Sequence, residues 1–174
     1  MTLRLLPPGT DTGTWIGELC IPDDLYWIAR TPTALAGMAY PGRADWTLLR
    51  EHGIGHVVCL TADTPPLDYA PCTVTAIRLQ DLVSGGAPQH PDEERARVDN
   101  AASDVVAHLE RDIGVAVHCM GGRGRTGTVI GVALVQLGHD ADDVVDYLHR
   151  SAVGRGRRGW PESPWQAATV RGSK

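Results

Sequence analysis

Apolar residues fall in short blocks separated by Gly-, Pro- and Asp-rich breaks, and the period inside each block names its element. LYWIAR (25–30) is a continuous apolar run closed by Thr31-Pro32 and predicts a strand. RADWTLLREHG (43–53) sets Trp46 and Leu49, with Leu48 beside them, on one side of a helix that Gly53 stops. HVVCL (56–60) and VTAIRL (74–79) predict two short strands, and SGGAPQHP (84–91) a loop. PDEERARVDNAASDVVAHLERDIG (91–114) predicts a long helix with Pro91 at its start, acids in its first turn and Gly114 at its end. VAVHC (115–119) predicts a buried strand. TGTVIGVALVQLG (126–138) predicts a helix that is apolar nearly all round and therefore central. DADDVVDYLHRS (140–151) has an acidic start and a basic end, and a last helix is expected over 162–170, after Trp160-Pro161.

Strands alternating with helices imply an α/β layer fold, with a mostly parallel central sheet flanked by helices. The 174 residues favour one domain, 1–174, with its core over about 25–170. There is no Phe, so Leu, Val, Ile, Ala and five Trp build the core. A net charge of -5 argues against general nucleic-acid binding but allows a local basic site. No apolar run reaches roughly 18 residues, so no membrane span is expected. The N-terminal stretch lacks the long apolar segment of a signal peptide. Four irregularly spaced cysteines, Cys20, Cys59, Cys72 and Cys119, make neither a disulfide framework nor a zinc knuckle, and a reducing cytoplasm is the expected compartment. His52 and His56 are kept from forming a helical metal pair by the glycines between them, and the acids after His139 read as a helix cap, so no metal site is expected.

Chemistry concentrates in GVAVHCMGGRGRTGTVIGVALVQLG (114–138). Gly122, Gly124 and Gly127 match the dinucleotide-binding glycine pattern, with Asp142 and Asp143 beyond them. A dinucleotide site needs a second strand ending in the acid, whereas these acids open a helix, and too few residues follow to complete the fold. Cys119 and Arg125, with five residues between them, use every polar residue of the stretch. A loop of that length wraps one tetrahedral anion such as phosphate, sulfate or vanadate. Amides of Met120, Gly121, Gly122, Arg123 and Gly124 turn inward, and the fork of Arg125 grips two oxygens. A helix N-terminus and an Arg favour the nucleophilic thiolate. Thr126 sets a hydroxyl beside the sulfur, and His118 orients the loop through its ring nitrogens.

VHCMGGRGRTG resembles the signature loop of the Cys-dependent protein tyrosine phosphatase superfamily, closest to its small dual-specificity and atypical branch. The double glycine is similar to the loop of cyclin-dependent-kinase-associated phosphatases. REHGIGHVVCLT looks like the helix and strand that open the conserved core of such enzymes. The resemblance implies a phosphotyrosine protein phosphatase-like fold. It implies phosphomonoester hydrolysis through a cysteinyl-phosphate intermediate, with no metal or other cofactor. It also implies a phosphorylated protein or peptide as substrate, phosphotyrosine first, with phosphoserine and phosphothreonine beside it. A phosphoinositide or inositol phosphate is the alternative, since Arg123 and the cluster Arg155, Arg157 and Arg158 add positive charge. An inactive phosphate-binding module is the third.

Relatives carry a general-acid Asp on a loop before the Cys. Asp81 is the candidate, 38 positions ahead of Cys119 after a strand and before a Gly-rich loop. Asp63 is the runner-up, and Asp92 reads as a first-turn helix acid. Gln166, in ESPWQAA, resembles the glutamine that positions the hydrolytic water, beside a plain surface reading. Cys59 reads as a core thiol, with a regulatory disulfide to Cys119 as the sharper alternative. The Arg cluster reads equally as a solvated basic loop.

Overall fold

The computed structural model describes residues 2–10, 14–61 and 68–173. A hairpin of β1 (Thr14–Ile16) and β2 (Leu19–Ile21) leads into β3 (Leu25–Ala29) and β4 (Leu35–Met38). Next come α1 (Trp46–Glu51), β5 (Ile54–Cys59) and β6 (Thr73–Ala76). The chain closes with α2 (Pro91–Leu109), β7 (Gly114–His118), α3 (Gly124–Gln136), α4 (Ala141–Gly154) and α5 (Pro164–Arg171). The central sheet has the order β3-β4-β7-β5-β6. Only the β3–β4 pair is antiparallel among its ladders, so the expected mostly parallel sheet is present.

Side chains alternate across this sheet and feed two cores. Ile28, Leu35, Val58, Val115 and Val117 pack under α2, α3, α4 and α5. Leu25, Trp27, Ala36, Val57 and Ala116 face the β1–β2 hairpin and α1. β7 lies in the middle, buried along its whole length, which is why its sequence is an unbroken apolar run. α3 follows it, and its residues from Thr126 to Leu134 are all buried.

Several boundaries differ from expectation for local reasons. α1 begins at Trp46 rather than Arg43 because the Asp45 side chain caps it, accepting from Leu48 N at 3.0 Å. β6 ends at Ala76, but the chain stays beside β5: Ile77 N donates to Cys59 O at 2.9 Å and Leu79 N to Leu60 O at 3.4 Å. That extension carries residues 79–81 to the C-terminal end of β7. β4 and the β1–β2 hairpin were not anticipated; LAGM and the three-residue strands carry too little pattern to read.

Candidate active site

The sheet's parallel strands point their C-terminal ends at one loop, residues 119–123, between β7 and α3. Cys119 leaves β7 buried, at 2 % exposure. The loop's backbone is held from outside. Tyr40 N donates to Met120 O at 3.0 Å, the Tyr26 hydroxyl to Gly122 O at 2.9 Å, and Trp160 Nε1 to Gly124 O at 3.3 Å. Gly122 has φ +64°, and a Cβ there would stand 2.6 Å from the Met38 and Ala39 backbone, so only glycine fits. With its carbonyls tied outward, the loop leaves its amides for an anion at the α3 N-terminus.

Arg125 lies in the first turn of α3. Its Nη2 donates to Asp81 Oδ2 at 2.7 Å and its Nη1 to Leu79 O at 3.4 Å. Asp81 Oδ1 accepts from Val83 N at 3.1 Å, which turns the loop away after the acid. Both residues line a cleft of about 820 Å³ that also meets Met120, Leu60 and the start of α2. The sequence-predicted Cys119, Arg125 and Asp81 are therefore brought to one end of the sheet. Asp92 lies exposed in the first turn of α2. Asp63 falls outside the described residues.

Thr126 is fully buried, and its hydroxyl has no partner among the described residues. His118 is also fully buried, with Nε2 2.9 Å from the Tyr69 hydroxyl and Nδ1 without a hydrogen-bond partner among the described residues. Burial of Tyr69 pushes its hydroxyl well above the usual tyrosine value. On the same side of the sheet, burial pushes the Cys59 thiol up. Hydrogen bonding to His118, Tyr69 and Thr61 outweighs this and holds it at about 6. Cys59 belongs to the core on the α1 face and Cys119 to the core under α3. All four cysteines are free.

Gln166 is buried at 1 % exposure, not on the surface. Its Oε1 accepts from Glu162 N at 2.8 Å and Ser163 N at 3.2 Å, completing a capping box on α5. Its amide nitrogen lies against Gly124, on the side of the loop. Arg123 turns away from the cleft onto Glu162, with Nε at 2.9 Å and Nη2 at 2.6 Å from Oε1. Arg155 is no solvated residue. It lies 3.5 Å from the Tyr26 ring centre and donates to Ser151 O, and burial pulls its pKa down. Arg157 donates to Asp23 O at 3.2 Å.

Sequence reasoning missed Tyr26, Tyr69, Trp160 and Glu162, whose contacts to the loop cross 36 to 96 positions of chain. It also missed the grouping of His56, Asp104 and His108, whose ligand-type atoms lie within 4.8 Å of one another. The His56 and His108 rings stack at 3.6 Å and 7°. Their in-plane lone pairs therefore cannot meet on one ion unless a ring turns.

Among the described residues no helix is long and apolar enough to cross a membrane. Solved structures of similar shape include a crystal structure of DUSP15, at 15% identity and TM-score 0.62, covering 83% of this chain and 85% of that one. P. aeruginosa TpbA in complex with pTyr matches at 22% identity and TM-score 0.59, over 85% of this chain and 84% of that one. PTPMT1 in complex with PI(5)P matches at 15% identity and TM-score 0.60, over 79% and 87%. At these identities the likeness is one of fold. Over residues 22–160 the sequence matches the model of the Swiss Army Knife protein DSP-PTPase phosphatase domain, and the chain belongs to that family of Cys-dependent dual-specificity phosphatase domains.

Proposed function

We propose that the protein hydrolyses phosphomonoesters through a cysteinyl phosphate on Cys119, with phosphotyrosine in proteins or peptides as the preferred substrate. One observation carries the proposal: Cys119 and Arg125 flank an anion-sized loop, and Asp81 meets Arg125 at 2.7 Å on the cleft side. The Cys119 thiolate attacks phosphorus, and the bond to the ester oxygen breaks as Asp81 delivers its proton to that oxygen. Arg125 and the loop amides hold the three equatorial oxygens. A water, set by the Gln166 amide, then attacks phosphorus and gives a proton to Asp81. The phosphorus–sulfur bond breaks, and the Thr126 hydroxyl donates to the departing thiolate.

The phosphoinositide alternative draws support from PTPMT1, whose structure holds PI(5)P. It loses support from three of the four arginines it relied on: Arg123 is engaged by Glu162, Arg155 by Tyr26 and Arg157 by the Asp23 backbone carbonyl, while Arg158 lies exposed. The pTyr held by TpbA favours the first reading. The test is a side-by-side measurement of kcat/KM on phosphotyrosine peptides and on soluble phosphoinositides. Higher values on the peptides are expected; higher values on the inositides would reverse the assignment.

A further inference from the structure

Glu94 is a charged residue that the mechanism above does not use. It sits one turn into α2 among other acids, a position whose ordinary content is a solvated carboxylate facing the helix N-terminus. Here the carboxylate is buried, at 3 % exposure. Its Oε1 accepts from Gln80 N at 2.6 Å, and its Oε2 lies 3.3 Å from Arg97 Nη1. The Gln80 N–H belongs to the same peptide unit as the Leu79 carbonyl, which accepts from Arg125 Nη1 at 3.4 Å. One peptide group thus lies between the guanidinium that grips the phosphate and a buried carboxylate. Arg125 faces its oxygen and Glu94 faces its N–H, a charge-assisted arrangement in which each end polarises the other. The next residue is Asp81, which returns to Arg125. Farther along, the Ser163 hydroxyl donates to Gly86 O at 2.7 Å, and Gln80 Oε1 accepts from Gln89 N at 2.9 Å. The loop is closed by those contacts, so Glu94 acts on residues 79–81 alone.

We propose that Glu94 is a positioning residue for phosphoryl transfer. Through the Leu79–Gln80 peptide it sets the place of Arg125 toward the phosphate and of Asp81 toward the leaving oxygen. The proposal rests on the assignment of Arg125 and Asp81 under the proposed function. It makes a prediction that mere proximity of charge does not. A carboxylate acting only as a nearby negative charge would, once removed, tighten anion binding. A carboxylate that positions Arg125 would, once removed, weaken it.

The experiment uses the full chain with Glu94→Gln, which keeps volume and an acceptor, and Glu94→Ala. Calorimetry measures the Kd of inorganic phosphate, and kinetics compare a phosphotyrosine peptide with an activated aryl phosphate. Glu94→Gln should raise the phosphate Kd several-fold and lower kcat/KM on phosphotyrosine about tenfold, the loss typical of a hydrogen bond to a charged group. The loss on the activated ester should be smaller. In an Asp81→Asn background, Glu94→Gln should cost less kcat on phosphotyrosine than in the parent, because the two act on one step. If Glu94→Ala does not fold, Glu94→Gln alone decides. An unchanged or lowered phosphate Kd in a folded variant overturns the proposal, as does an equal loss on both substrates that persists in full beside Asp81→Asn. Failure of the catalytic assignment reads differently: Cys119→Ser would still turn over, while the phosphate Kd would still report on Glu94.

Discussion

Arg125 and Asp81 hold one another across the mouth of the cleft, Nη2 2.7 Å from Oδ2, with the Arg side chain at 11% exposure and the Asp at 50%. In the proposed mechanism the acid shares one of the two directions in which the guanidinium would bind an anion. Substrate phosphate would take over that direction and leave the carboxyl group beside the ester oxygen.

Asp81→Asn should therefore separate two effects. Hydrolysis of phosphotyrosine should slow on the order of a hundredfold or more, the size of a lost general acid. The most activated aryl phosphate should lose far less, because its leaving group departs as an anion. The high-pH limb of the rate profile should flatten. Inorganic phosphate should bind more tightly, since a competing carboxylate is gone from Arg125. Steady-state rates on both esters, with phosphate as inhibitor, give all of these. Asp63→Asn should reproduce none of them; if it does and Asp81→Asn does not, the acid lies on the loop after β5.

Tyr26 supports the loop from behind, and its hydroxyl donates to Gly122 O. Burial lifts its pKa to about 12, so it remains a neutral donor throughout the working range. Tyr26→Phe removes one buried hydrogen bond and leaves a carbonyl unsatisfied, a loss of about 1–3 kcal/mol. A lowered thermal midpoint and a several-fold drop in kcat on every substrate are expected. An unchanged kcat would show that the loop holds its shape without Tyr26.

His56 links stability to pH. Burial pushes its pKa below the ordinary value; the hydrogen bond that its ring donates to Asp104 opposes this, and His108 adds to the downward push. The neutral ring fits its surroundings, since Nε2 lies 2.9 Å from Asp104 Oδ2 and Nδ1 2.7 Å from the Thr73 hydroxyl. The unfolded chain takes up the proton first as pH falls below about 6.5, so this contribution is full above that value and is lost below it. Thermal midpoints should therefore decline from about pH 7.5 to about pH 5, and His56→Gln should make that slope shallower. Equal slopes would remove His56 from the account.

The strand–loop–helix of residues 114–138 was legible in the sequence because the whole device lies in one contiguous stretch. Three things agree there: an unbroken apolar run for a strand buried on both faces, glycines where amides must turn inward, and a helix with no polar face. Asp81 was legible only as a loop acid after a strand. Its contact with Arg125 depends on β6 continuing beside β5 past its last regular residue. Arg155 shows where charge patterning fails, because a basic loop reads the same whether an Arg is solvated or stacked on a Tyr 129 positions away. Glu94 fails for the same reason: among three acids in the first turn of a helix, nothing local says which one is buried. Gln166 was singled out from its motif as a water-positioning residue. Its capping of α5 follows equally from the Ser163 three positions earlier.

The central claim is that phosphate passes through the Cys119 sulfur, and the covalent intermediate tests it most directly. Asp81→Asn protein, mixed with an activated aryl phosphate and quenched in acid within the first turnover, should carry one added phosphoryl group on the peptide that contains Cys119. The same mixture made with Cys119→Ser should carry none and should release no phenol above background. A phosphoryl group on any other residue, or turnover that survives in folded Cys119→Ser, would contradict the account.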